Sequence, residues 1–267
     1  MIKIEKVKSV KGNIQKRNEN SIISFKKDTR FFLSTGISFY KQNNFTKAIN
    51  CFDKAIKLNP ESEGAWCNKG VSLVKLKKYN RAIDCFDKTI EINPLYYKAK
   101  YNEGIALEKL KRYDEAIDCF DKAIEIDPLY YNAWRNKGII LDKLSRHNEE
   151  LDCFVKAIEL NPEFEEAWIN KGRALDKLGK YDEAIDCFDK AIKLNPESED
   201  ARCNKGKALD KLGKYNEAID CFDKAIEINP LYYRAWYYKG ASLTIQEQLN
   251  EAKKCYDKAS NIRKKIK

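Results

Sequence analysis

The chain has 267 residues, nine cysteines, a single histidine and a formal net charge of +10. That charge is concentrated at the two ends: residues 1–28 and 263–267 carry net +5 and +4, which leaves about +1 between them. An electrostatic argument for nucleic acid or an acidic membrane surface therefore applies to the ends alone. No apolar run approaches the roughly 20 residues that span a bilayer or has the form of a secretory signal, which predicts a soluble, cytoplasmic protein.

In chain order, residues 1–28 come first and carry no fold signal, because Gly12 and Asn13 interrupt a weak amphipathic run of Ile4, Val7 and Ile14. They are expected to form a basic, disordered tail. From residue 29 a 34-residue period takes over. All six prolines, from Pro60 to Pro230, fall on it, as does a glycine series from Gly36 to Gly240. The units are 29–62, 63–96, 97–130, 131–164, 165–198, 199–232 and 233–266. A fixed period of this length marks a repeat array, in which each unit buries its apolar face against its neighbours.

The fifth unit shows the physics. Ala167, Trp168, Ile169, Gly172, Leu175 and Leu178 recur at three- and four-residue steps, as on one face of a helix. Gly179 is placed to end that helix in a left-handed conformation. Asp182 and Glu183 open a second helix at the positive end of its dipole, and Asn195 with Pro196 stops it. Each unit is thus expected to be a helical hairpin, with Gly172 admitting a close partner and Trp168 and Phe188 supplying buried area.

Seven cysteines, from Cys51 to Cys255, occupy one repeat position each. Equivalent positions on stacked helices lie roughly 10 Å apart, beyond the reach of about 7 Å that a disulfide allows. No CxxC pair suggests zinc, so these are read as small buried apolar residues in a reducing compartment. No metal or cofactor is expected.

Trp at position 4, Gly at 8, Ala at 20, Phe at 24, Ala at 27 and Pro at 32 closely resemble the tetratricopeptide repeat (TPR) family. Seven tandem units carry the pattern. Departures are few: Phe32, Lys100 and Arg202 replace the tryptophan, Thr89 replaces the second alanine, and Glu150 with His147 disturbs the inter-helix turn of the fourth unit. The resemblance implies an all-α, right-handed superhelical solenoid of seven helix-turn-helix repeats. Its first helices would line a concave groove that holds an extended peptide or a partner helix. That is a non-catalytic protein-interaction scaffold.

The second helices are near copies, whereas the first helices vary at positions 2, 5, 9 and 12, which the resemblance places in the groove. Position 6 instead reads Asn68, Asn102, Asn136, Asn170 and Asn204 in five consecutive units. A side-chain amide both donates and accepts, so it can pair with peptide groups of any sequence. At roughly 10 Å per stacked helix and ~3.3 Å per extended residue, one asparagine would meet about every third residue of a bound strand. This ladder is similar to that of the TPR region in O-GlcNAc transferases; ordinary solvation of a polar helix face explains the same residues. Beside it, Tyr101 belongs to an apolar first half, Arg135, Arg173 and Lys207 to a basic second half, and Tyr237 closes the series. A ligand with an apolar segment followed by an acidic one or a terminal carboxylate would suit that order. The co-chaperone set that captures terminal carboxylates is not reproduced, because Asp200 stands where that motif has lysine.

Ser260 replaces the isoleucine that six units carry at the same position, so the array is expected to end here with a polar outer face. His147 stands where four units have tyrosine and is read as turn packing; with no phosphate loop or nucleophile pair, an enzyme is not expected. The competing function is an RNA-binding helical repeat that touches phosphates through its basic termini. Self-association through the array ends is compatible with the pattern.

Overall fold

The computed structural model describes residues 27–266, so the expected basic tail falls almost wholly outside the described residues. Lys27 and Asp28 already belong to a helix. Among the described residues there are fourteen α-helices and no strand. They run in chain order as hairpins: α1 (27–41) with α2 (Phe45–Leu58), α3 (Glu63–Lys75) with α4 (Tyr79–Ile92), and α5 (Tyr97–Lys109) with α6 (Tyr113–Ile126). Then come α7 (Tyr131–Lys143) with α8 (His147–Leu160), α9 (Glu165–Lys177) with α10 (Tyr181–Leu194), α11 (Glu199–Lys211) with α12 (Tyr215–Ile228), and α13 (Tyr233–Ile245) with α14 (Leu249–Ile266). The architecture is an all-α helical-repeat solenoid. Helices α1–α6 form one compact unit and α7–α14 another.

Each hairpin closes on a glycine and an aromatic ring, phenylalanine in all but the last, where Tyr256 meets Gly240. In the second unit, a Cβ built on Gly172 would stand 2.6 Å from Phe188 Cε1; in the first, one built on Gly70 would stand 2.5 Å from the ring of Phe86. Both rings are fully buried. The alanines at positions 3, 20 and 27, such as Ala167, Ala184 and Ala191, are buried to 0% exposure and let neighbouring backbones approach. A methyl group added at Gly172 would force that ring aside, an overpacking cost of about 1–3 kcal/mol, while alanine regains about 1 kcal/mol of helix propensity. The 2.6 Å approach puts the cost at the upper end of that range, so Gly172→Ala is expected to lower stability by about 2 kcal/mol net in a urea titration; an unchanged midpoint would mean that Phe188 has room to turn.

The tryptophans do something that periodicity does not reveal. They are only partly buried, and the indole N–H of Trp66, Trp168 and Trp236 donates to the carbonyl of Pro60, Pro162 and Pro230, at 2.9, 2.8 and 3.1 Å. Each clasps the loop that enters its repeat. Arg202, which replaces tryptophan, keeps the clasp by donating to the Pro196 carbonyl at 2.9 Å. Thr89 is equally well accommodated: it is buried, and its hydroxyl donates to the Cys85 carbonyl at 2.9 Å.

The turns follow from local chemistry. Asn195 caps α10 in extended conformation, and its Oδ1 accepts the Glu197 N–H at 3.1 Å, an Asx turn that sends the chain into the next hairpin. Within hairpins, the residue at position 15 adopts positive φ, at +77° for Gly179 and +58° for Lys77. The last repeat lacks the Asn-Pro stop. Arg263 and Lys264 stand in its place, and α14 runs for 18 residues where α12 has 14.

All nine cysteines are free thiols. Burial pushes Cys67 and Cys203 up to about 12, so neither is a nucleophile near neutral pH.

Candidate functional site

All ten residues singled out from the sequence lie on odd-numbered helices, the first of each hairpin. In the first unit, Asn68 and Asn102 donate through Nδ2 to the carbonyls of Gly64 and Lys98, each at 2.6 Å. That bond four residues back uses one amide hydrogen and orients the group. The ring of Tyr101 packs 5.8 Å from that of Phe120, so this tyrosine also serves the hairpin interior.

In the second unit the residues diverge. Arg135 is engaged: it pairs with Glu166 at 3.1 Å, lies over the Phe164 ring at 5.5 Å and donates to Asn136 Oδ1 at 3.3 Å. Asn170 is half-buried on α9. Asn204 donates to the Asp200 carbonyl at 2.8 Å.

Arg173, Asn204, Lys207 and Tyr237, from three successive first helices, border one cavity of about 440 Å³. Lys207 has Asp176 at 4.0 Å and the ring of Tyr238 at 5.5 Å. Tyr237 is 53% exposed at the rim. Tyr232, Tyr233, Arg234 and Arg263, which no sequence pattern singles out, line the same space. Tyr232 donates to Asp200 Oδ1 at 2.7 Å, so burial and that bond push its hydroxyl far above the usual phenol range. Asp200, expected to repel an anion, is thereby occupied on one oxygen.

A second cluster was equally unforeseen. Glu150 is 2% exposed, its Oε2 is 2.9 Å from His147 Nδ1, and its Oε1 is 3.7 Å from the ammonium of Lys177. Lys177 also pairs with Asp142. The atoms of Asp142, His147 and Glu150 lie within 4.8 Å of one another, with the lysine supplying positive charge beside them. The signal was present in the sequence: both departures of the fourth repeat, histidine for tyrosine and glutamate for alanine, meet at this point.

Stacked hairpins with variable first helices and a cationic, tyrosine-lined cavity define a helical-repeat interaction protein, and comparison with known proteins agrees. Models described as tetratricopeptide repeat match residues 64–96, 97–130, 165–198 and 199–232, and also 119–152 and 221–254; one described as TPR repeat matches 36–77. The chain belongs to the tetratricopeptide repeat family, a family of protein-interaction scaffolds that are generally non-catalytic.

Among solved structures, it is similar to YrrB, described as a TPR protein with an unusual peptide-binding site, at 29% identity and a TM-score of 0.60, over 70% of this chain and 97% of that one. MamA is similar at 25% identity and a TM-score of 0.56, over 61% of this chain and 95% of that one. PilF of Pseudomonas aeruginosa shares the fold, at 16% identity and a TM-score of 0.71, over 82% of this chain and 99% of that one. No curated protein sequence matches the chain. Among the described residues no helix is long and apolar enough to cross a membrane.

Proposed function

We propose that this chain is a non-catalytic scaffold that holds an extended segment of a partner protein against the first helices of its repeats. The observation that carries the reading is the convergence of Arg173, Asn204, Lys207 and Tyr237 on one cavity. These are groove positions in the family pattern; those of Arg173, Lys207 and Tyr237 vary between repeats while the second helices stay nearly constant, as expected of a surface matched to a ligand, and that of Asn204 is asparagine in five consecutive repeats.

An extended strand passing Asn170 and Asn204 would find a peptide-sized step between them, at roughly 10 Å per helix. At Asn204 the bond to the Asp200 carbonyl fixes the amide and leaves its second N–H and Oδ1 for a peptide group. Asn68 and Asn102 offer the same arrangement in the first unit. The description of YrrB as a peptide-binding TPR protein supports a ligand of this kind. A hydrolytic or transfer reaction has no support at the cavity, where burial keeps the Cys203 thiol protonated.

The reading is tested with peptides selected from a displayed random library by the immobilised chain. Joint replacement of Asn170 and Asn204 with alanine is expected to weaken their binding at least tenfold, with thermal unfolding unchanged or improved because alanine favours helix. Full affinity in the double variant would remove the amide face from the function.

A further inference from the structure

We propose that the cavity beside the last repeat is a recognition site for a phosphorylated side chain carried by the bound segment. The inference rests on the peptide-binding reading and adds the chemistry of what is recognised.

The repeat itself changes at one corner of its last copy. Position 31 of a unit meets position 1 of the same unit: Asn195 Nδ2 is 2.9 Å from Glu165 Oε2, and Asn229 Nδ2 is 3.0 Å from Glu199 Oε1. In the last unit those two positions hold Arg263 and Tyr233, and position 2, acidic as Glu166 and Asp200 in the preceding units, is Arg234. Because no Asn-Pro stop ends α14, that helix continues and brings Arg263 to the cavity. A corner that is acidic in two successive repeats is cationic in the third.

The cavity of about 440 Å³ is lined by Arg173, Lys207, Arg234 and Arg263. Lys207 has Asp176 at 4.0 Å, whereas among the described residues none of the three arginines is paired with a carboxylate. Tyrosines 233, 237 and 238 add hydroxyls, and that of Tyr232 is already given to Asp200. Three planar guanidinium groups suit the several oxygens and roughly two negative charges of a phosphomonoester better than the single charge of a carboxylate.

A continuous phosphate backbone fits poorly. Asp176 and Asp210 follow Arg173 and Lys207 by one helical turn on α9 and α11, so a nucleic acid strand leaving the cavity would meet carboxylates. An isolated phosphate on a peptide does not. Asn204 at the same cavity supplies an amide for the main chain beside it.

The test uses the full chain and three mixtures of ten-residue peptides, randomised except for a central phosphoserine, serine or glutamate. The phosphoserine mixture is expected to be retained at least tenfold more strongly than the other two. Arg234→Gln combined with Arg263→Asn, the latter restoring the residue found at this position in the neighbouring repeats, is expected to abolish that preference, so that the phosphoserine and serine mixtures are retained equally. Lys264→Gln on the same helix is expected to change nothing. Inorganic phosphate is expected to compete only at concentrations far above those of the peptide.

Equal retention of all three mixtures would overturn the phosphate site while leaving the peptide face standing; retention of none would overturn both. Glutamate binding as well as phosphoserine would make the site a carboxylate site. Inorganic phosphate competing as well as the peptide, or single-stranded RNA displacing it at lower concentration, would also overturn the proposal.

Discussion

Replacing Phe188 with alanine is expected to lower the stability of the second unit by about 3–5 kcal/mol, the range for truncating a fully buried phenylalanine. The ring has no exposed surface and lies on Gly172 of the facing helix, which has no side chain of its own to fill the vacancy. Its removal also unseats the buried cluster it shares with Leu175, Ala184 and Ala201, the last of which belongs to the following repeat. Hydrogen exchange followed peptide by peptide is the appropriate measurement, because stability in a repeat array is a sum of local terms. Protection is expected to fall first in α9 and α10. A uniform loss across the second unit would show that its hairpins open together and not one by one.

The joint replacement of His147 with tyrosine and Glu150 with alanine is expected to raise stability by about 1–3 kcal/mol. Exchanging a buried ionic group for well-packed apolar residues is commonly neutral to stabilising by about 1–4 kcal/mol, and the next repeat holds this pair already, with Tyr181 half-buried and Ala184 wholly buried. The gain should depend on pH. Burial, above all, holds the Glu150 carboxyl above its ordinary value of 4.5, against the opposing pull of His147 and Lys177 and with Asp142 reinforcing the rise. The folded chain therefore keeps a proton that the unfolded chain releases. The stability linked to this group is complete below the unfolded value and is lost as pH rises through the folded one. Thermal unfolding is thus expected to show a larger advantage of the double variant near pH 7 than near pH 4. A double variant less stable than the parent at both pH values would show that the charged network stabilises its repeat.

Much of the fold was legible because its determinants are local and copied. Gly172 and Phe188 are 16 residues apart in a fixed register, and Asn195 with Pro196 halts a helix without help from elsewhere. The odd-numbered helices could likewise be recognised as the variable ones. The rest of the cavity was hidden because it depends on a meeting between residues 30 apart, position 31 with position 1, which becomes evident only from the contact of Asn195 with Glu165. Arg263 read as part of a terminal basic run because its helix continues only where a stop signal is missing. Trp168 read as core for a related reason: periodicity reports which face a residue occupies, and it does not report that the indole N–H reaches the Pro162 carbonyl. At the fourth repeat, His147 and Glu150 each depart visibly from the pattern, yet Lys177, the cation beside them, comes from the next hairpin.

The near identity of α10 and α12, which differ at only three of fourteen positions, bears on how the chain finds its shape. Gly206 would receive Phe188 almost as readily as it receives Phe222, so a hairpin skipped during folding leaves behind partners that still match. The same interchangeability that lets a hairpin be added or removed without redesign gives the chain decoys of itself. Escape from such a mispaired state requires an undocking step, and Arg263, where the other six repeats hold asparagine or aspartate, supplies a landmark that tells the last hairpin from its decoys.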